Sequence, residues 1–155
     1  MKRLFGCLLL LVLVGCSSSD HPKDQPTTVT FSMVATHDVN PNFSGDATPF
    51  EVQVFELEDD SMFLASGYDQ LANSAKAALK SNYVDHRDYS LVPQQFKFID
   101  AFQIEDDTRY IAVMARYSNS ESSDWKKVVK VLPIGRQYHL LMYFNKNEVV
   151  LRKVE

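Results

Sequence analysis

The sequence predicts a mainly β protein, a two-sheet antiparallel β-sandwich carrying one short helical insertion. Three observations predict it. Short apolar segments of alternating parity recur along the chain, separated by turn-forming residues. Aromatics are plentiful, with 10 Phe, 7 Tyr and 1 Trp against 5 Gly, and aromatic side chains suit pleated, half-buried surfaces. A single stretch, Tyr68 to Leu79, switches to a helical period. About eight short strands with tight turns argue for a sandwich.

The chain opens with a short basic region, Lys2 and Arg3, followed by an apolar run from Leu4 to Val14. Eleven residues are too few to cross a bilayer core, which needs about 20, and suit the core of an export signal. The run closes on Leu13-Val14-Gly15-Cys16, which resembles a bacterial lipobox. Residues 1–15 are therefore expected to be cleaved and Cys16 to be acylated. Ser17 follows Cys16 where an Asp would favour inner-membrane retention, so the expected location is the periplasmic face of the outer membrane. Cys7 leaves with the signal, so the mature chain has no free thiol, disulfide or Cys metal ligand. Two or more acyl chains hold a protein to a bilayer where one is marginal.

Ser17 to Thr28 contains no large apolar side chain and reads as a flexible tether, with a reach of about 40 Å when extended. Residues 16–28 are thus acylated cysteine and tether, and residues 29–155 the folded domain, a length that allows one core. The mature chain has 14 basic and 20 acidic residues, a charge of −6. An acidic domain without a basic stripe argues against nucleic acid as a partner.

Val29, Phe31, Met33 and Ala35 share one parity, with Thr30, Ser32 and Thr36 on the other, as in a half-buried strand. Pro49 to Leu57 is a second strand whose parity shifts from Val52 and Val54 to Phe55 and Leu57, which suggests a bulge or an edge. In the helix, Tyr68, Leu71, Ala72, Ala75, Ala78 and Leu79 form the apolar face. Tyr89 to Leu91 reads as a short strand preceded by a charged turn, Asp85-His86-Arg87-Asp88. Gln95 to Phe102 carries Phe96, Phe98 and Phe102 on a strand, and Glu105-Asp106-Asp107 reads as a hairpin turn. Arg109 to Tyr117 is apolar on both parities, as in a central strand. A Ser-rich loop precedes Trp125, read as a core or sheet-edge anchor, and Lys126 to Leu132 alternates Lys with Val. Pro133-Ile134-Gly135 turns, Gln137 to Asn145 is a strand, Asn145-Lys146-Asn147 a tight turn, and Glu148 to Val154 the last strand.

The histidines, His21, His37, His86 and His139, lack the spacing of a zinc helix, and the sequence holds no nucleophile elbow, phosphate loop or dinucleotide fingerprint. No cofactor, metal or catalytic residue is expected. The loop from His37 to Thr48 stands apart, because strand connections are usually two to five residues. It presents Val39 and Phe43 as exposed apolar residues among Asn40, Pro41, Asn42 and Asp46. From the residues alone it is either a recognition loop or a cap over one end of the sandwich.

Several features coincide in order: lipobox, polar tether, strand, Asn40-Pro41-Asn42-x-x-Gly45, Pro49-x-x-Val52-x-Val54-Phe55-x-Leu57, Phe63, the helix, Arg109-Tyr110-Ile111-Ala112-Val113, and Trp125-Lys126. Together they resemble the TssJ-type outer-membrane lipoproteins of the bacterial type VI secretion system, over roughly residues 29–155. Departures are Ala112 where the family often has Gly, Lys126 where it often has Arg, Pro93-Gln94 in place of a Pro-Gly turn, and the details of Ser118 to Asp124. The resemblance implies a transthyretin-like sandwich that is not an enzyme. It implies that the loop binds the periplasmic domain of the large inner-membrane component, TssM, with several copies in one complex, and maps that loop to His37 through Thr48. Within it the expected contacts are Val39 and Phe43 as apolar anchors, Asn40, Asn42 and Asp46 as hydrogen-bonding groups, and Pro41, which limits the entropy lost on docking. Another periplasmic β-sandwich lipoprotein, a lysozyme inhibitor or assembly factor, is the alternative. Transthyretin-like ureide hydrolases end in a Tyr-Arg-Gly-Ser tail, and this chain ends Leu151-Arg152-Lys153-Val154-Glu155.

Overall fold

A computed structural model describes residues 22–154. Eight strands form two four-stranded sheets packed face to face. They are β1 (Thr28–Ala35), β2 (Phe50–Leu57), β3 (Tyr83–Leu91), β4 (Phe96–Gln103), β5 (Tyr110–Arg116), β6 (Lys126–Lys130), β7 (Gln137–Asn145) and β8 (Glu148–Val154). The first sheet runs β4-β1-β7-β8 and the second β3-β2-β5-β6. All pairings are antiparallel except β1 with β7, which is parallel. Two helices, α1 (Ser61–Ala65) and α2 (Tyr68–Leu79), follow β2.

Alternation builds the core between the sheets. Val29, Phe31 and Met33 of β1 meet Val52 and Val54 of β2, Ile111 and Val113 of β5, and Leu140 and Met142 of β7, all buried. A second apolar layer lies outside the β2–β5 sheet, where Leu71 and Leu79 of α2 pack on Phe55, Leu57, Ala112 and Met114. Each such buried aliphatic contributes about 1.5–3 kcal/mol. The parity shift in β2 marks this double burial. Val52 and Val54 face the sandwich core, whereas Phe55 and Leu57 face the helices. β2 is an inner strand and not an edge, with its register irregular against β3 between Glu56 and Leu57.

Two local expectations are corrected, and β4 adds a detail that the sequence reading left open. Asp85 to Asp88 is not a turn but the middle of the nine-residue β3. There Arg87 lies 4.0 Å above the Phe102 ring of the opposite sheet, so a charged residue contributes a stacking surface. Glu105 to Asp107 does not close a hairpin, because β4 and β5 belong to different sheets. Buried Glu56 holds this crossing, its carboxylate accepting from Glu105 N at 2.9 Å and Thr108 Oγ1 at 2.7 Å. Phe96 and Phe98 do not join the core. A register shift in the β1–β4 pairing between Val29 and Phe31 turns Ile99 and Phe102 toward the core and leaves Phe96 and Phe98 half exposed.

Two ends result. The β1–β2 loop, the β3–β4 turn, the β5–β6 loop and the β7–β8 turn gather at one, here called the loop end. The chain enters β1 at the other, about 23 Å away along the eight-residue strand. The β3–β4 turn contains Gln94 at φ 65°, a left-handed conformation that disfavours a side chain. This is the position of the Pro-Gly departure, and Gln94→Gly is expected to raise stability by about 0.5–1 kcal/mol in a denaturant melt.

Candidate functional site

At the loop end, residues 36–49 divide into a buried base and a projecting tip. Val39, expected to be exposed, is fully buried in the sandwich core. Asn40 is 3% exposed and left-handed, with φ 49°, which Asn tolerates better than most residues. Its amide donates to Thr48 Oγ1 at 2.8 Å and the Pro49 carbonyl at 3.1 Å, and its Oδ1 accepts from Ser118 N at 2.7 Å. Its backbone N–H donates to the Lys146 carbonyl at 2.7 Å. Asn40 therefore latches together the β1–β2 loop, the β5–β6 loop and the β7–β8 turn. These two residues hold the loop in place and offer almost no surface.

The tip runs from Pro41 to Ala47, which are bridged to each other. Asn42 Oδ1 accepts from Ser44 N and Asp46 N, both at 2.9 Å, and Gly45 supplies a turn at φ 88°. The Asn42 carboxamide oxygen thus shapes the loop from within. Phe43 stands at the apex, fully exposed, and Asp46 and Asn42 are exposed beside it, with Pro41 half-buried. Pro41, Asn42 and Phe43 form one wall of a cleft of about 260 Å³ whose other wall is Ser118 and Asn119. The sequence left that second wall as a featureless Ser-rich loop. At the base of the β1–β2 loop the Thr36 hydroxyl, 2.7 Å from Asp38 Oδ1, holds the Asp38 carboxyl below the usual range.

The β5–β6 loop is itself anchored. Tyr117 packs on Phe50, and its phenol donates to the Glu148 carbonyl at 2.8 Å. Burial foremost, then Glu148 and Asp124, push the Tyr117 phenol well above its ordinary range. A group with a folded pKa above its unfolded value near 10 gives its full stabilisation below about pH 10 and loses it as pH rises. Thermal stability is expected to fall above about pH 10, and Tyr117→Phe to blunt that fall by up to about 1.4 kcal/mol per pH unit. A fall of equal slope in the variant would assign it to other groups, such as Tyr89, also raised by burial.

Lys126 is a residue whose role the sequence did not indicate. Its ammonium donates to the carbonyls of Phe63, Leu64 and Ser66 at 2.8–2.9 Å, closing the C-terminal end of α1 as cations do. Trp125 is half-buried between the two apolar layers, edge-on to Tyr68, so the Trp-Lys pair clips the helical insertion to the sheet. On the outer face of the first sheet, Ser32 Oγ and His139 Nε2 lie 2.7 Å apart. That is a nucleophile–base distance, yet among the described residues no carboxylate bonds to His139, and the pair sits on the open face of a sheet. Among the described residues no group of three or more His, Cys, Asp or Glu is placed to hold a metal. Cys16 lies outside the described residues.

Comparison with known proteins identifies a family and similar folds. The family profile described as type VI secretion lipoprotein (VasD, EvfM, TssJ) matches residues 27–149. The fold is similar to the type VI secretion lipoprotein TssJ1 from Pseudomonas aeruginosa, with TM-score 0.78, 24% identity, and 84% of this chain and 98% of that one covered. It is similar to Serratia marcescens Lip, a membrane-bound component of the type VI secretion system, with TM-score 0.69, 22% identity, and 83% and 97% covered. A chain in a structure described as the TssM C-terminal domain from EAEC matches with TM-score 0.68 and 17% identity, covering 82% of this chain and 98% of that one. Among curated proteins none matches.

Proposed function

The chain belongs to the type VI secretion lipoprotein family, and on that premise we propose that it ties a secretion complex to the outer membrane. Cys16, acylated, is the membrane anchor. The loop end binds the periplasmic domain of the large inner-membrane component, of TssM type. It acts by binding and not by catalysis, in several copies per complex. The observation that carries this reading is Phe43, a fully exposed aromatic at the apex of an internally hydrogen-bonded loop, at the end of the sandwich opposite the chain's entry. A partner rising from the other membrane meets that end first. Because the loop is preorganised, little entropy is lost on docking. Phe43 supplies the apolar anchor, Asn42 and Asp46 offer polar groups at its rim, and Pro41 restricts the backbone. Val39 and Asn40 serve the contact indirectly, by fixing the loop's base. The neighbouring structure described as the TssM C-terminal domain supports the choice of partner class.

The anchor is tested by fatty-acid labelling and membrane fractionation. Cys16→Ala is expected to lose all label and leave the outer-membrane fraction, remaining soluble in the periplasm or uncleaved. Label retained at the wild-type level would remove Cys16 from the proposal. The partner is tested by purifying the tagged protein from membranes, where a large inner-membrane protein is expected to accompany it. Recovery of lysozyme in its place would favour the inhibitor alternative.

A further inference from the structure

The segment expected to be free tether up to Thr28 is fastened well before β1 begins. Gly135 N donates to the Gln25 carbonyl at 2.7 Å, Thr27 N to Pro133 O at 2.8 Å and Thr28 N to Arg136 O at 3.0 Å. Pro26 bridges to Ile134, and Arg136 N donates to Thr27 Oγ1 at 3.2 Å. The β6–β7 loop is shaped for this seat. Gly135 has φ 75°, and a Cβ there would lie 2.8 Å from the Lys23 carbonyl oxygen, so only glycine admits the incoming chain this closely. The chain between Cys16 and this seat is then short. Five residues separate Cys16 from Pro22, where the described structure begins, and six peptide steps span at most about 20 Å.

Among the described residues, nothing covers the apolar side chains of that seat. Leu132 and Ile134 of the β6–β7 loop are 45% and 52% exposed, with Lys23 and Arg136 lining the same hollow. Exposed aliphatics beside cations are the composition that rests in a headgroup layer. The docked segment also carries exposed Asp24 beside Lys23, which leaves two cations to one acid on this side, whereas Glu105, Asp106 and Asp107 in the β4–β5 connection and Asp59 and Asp60 before α1 make the rest of this end acidic and repel an anionic surface.

We infer that the β6–β7 loop and the docked segment of the tether form a second membrane contact, with the bilayer surface as the occupant of the Leu132–Ile134 patch. The inference rests on acylation at Cys16, which keeps Pro22, at the entry to this patch, within about 20 Å of the lipid. The contact stands the sandwich upright and points the Phe43 end away from the membrane, so that the gripping end is presented by the fold and not by free rotation on a tether.

The test uses the full acylated protein in vesicles of phosphatidylethanolamine and phosphatidylglycerol with brominated acyl chains. An environment-sensitive fluorophore is attached in turn to Leu132→Cys, Ile134→Cys and Phe43→Cys, and flotation measures how much of each protein is membrane-bound. Quenching by brominated lipid at positions 132 and 134 is expected to be at least threefold that at 43. Protein that floats while the three positions are quenched equally overturns the second contact and spares the lipid anchor. Protein that does not float overturns the anchor and the contact together.

Discussion

Asn40→Ala is expected to destabilise the protein by about 3–5 kcal/mol, a large part of the 5–15 kcal/mol that holds an ordinary domain folded. The side chain makes three hydrogen bonds in a nearly waterless position. Its loss leaves Ser118 N–H and the Pro49 carbonyl without these bonds, at about 1–3 kcal/mol for each buried orphan. Alanine at φ 49° adds about 1 kcal/mol of backbone strain. The two parts separate experimentally. Asn40→Gly lifts the strain but not the lost bonds, so it should recover about 1 kcal/mol of the deficit. A thermal or urea melt of both variants measures this. If Asn40→Ala melts within about 0.5 kcal/mol of wild type, in the range of a neutral surface change, the latch is not what fixes the loop end.

How far the sequence was readable follows from what each signal reports. Alternation marked β1 because only one of its faces meets the core, and the 3.6-residue period marked α2 because only one side of that helix is covered. Both signals fail where burial is two-sided or absent. β2 looked irregular because its two faces enter different apolar layers. β3 looked like a turn because it is an edge strand whose Arg87 is covered by a ring from the other sheet, a tertiary contact with no local trace. β4 showed three phenylalanines on one strand without showing which are covered, because nothing local announces the register shift that turns two of them outward. The candidate site divides in the same way. Loop length singled out the candidate site, and composition singled out Phe43, Asn42 and Asp46, which the structure leaves exposed at its tip. Val39 misled because an apolar residue between turn formers can point either way, and Asn40 misled because a polar residue in a loop reads as solvated until its partners are known. Those partners, Thr48, Pro49, Ser118 and Lys146, lie 8 to 106 positions away in the chain.

Phe43→Ala is expected to have the opposite profile to Asn40→Ala, with weaker partner binding and no loss of stability. The ring is fully exposed and belongs to neither apolar layer, so its removal should leave the melt unchanged within about 0.5 kcal/mol. The loop keeps its shape without the ring, because the bonds that fold it run through Asn42, Gly45 and Asp46. An aromatic standing free on a preorganised loop, beside a cleft of about 260 Å³, has the features of an interface anchor. Truncating such anchors costs about 2 kcal/mol or more, which is roughly a 30-fold rise in Kd. Titration of the purified protein with the periplasmic domain of the inner-membrane component measures it. Ser118 and Asn119 line the same cleft, so a bulky substitution at Asn119 should weaken binding in the same assay by closing the cleft. An unchanged Kd in Phe43→Ala would remove the loop as the gripping element. The apolar row that Phe96, Val34, Tyr143 and Val150 form across all four strands of the first sheet would then be the next surface to truncate. The paired measurement matters because the loop has two readings, cap or grip. A cap residue loses folding when cut, as Asn40 should. A grip residue loses only the partner, and Phe43, alone among the large apolar side chains of this loop in being uncovered, is where that distinction is cleanest.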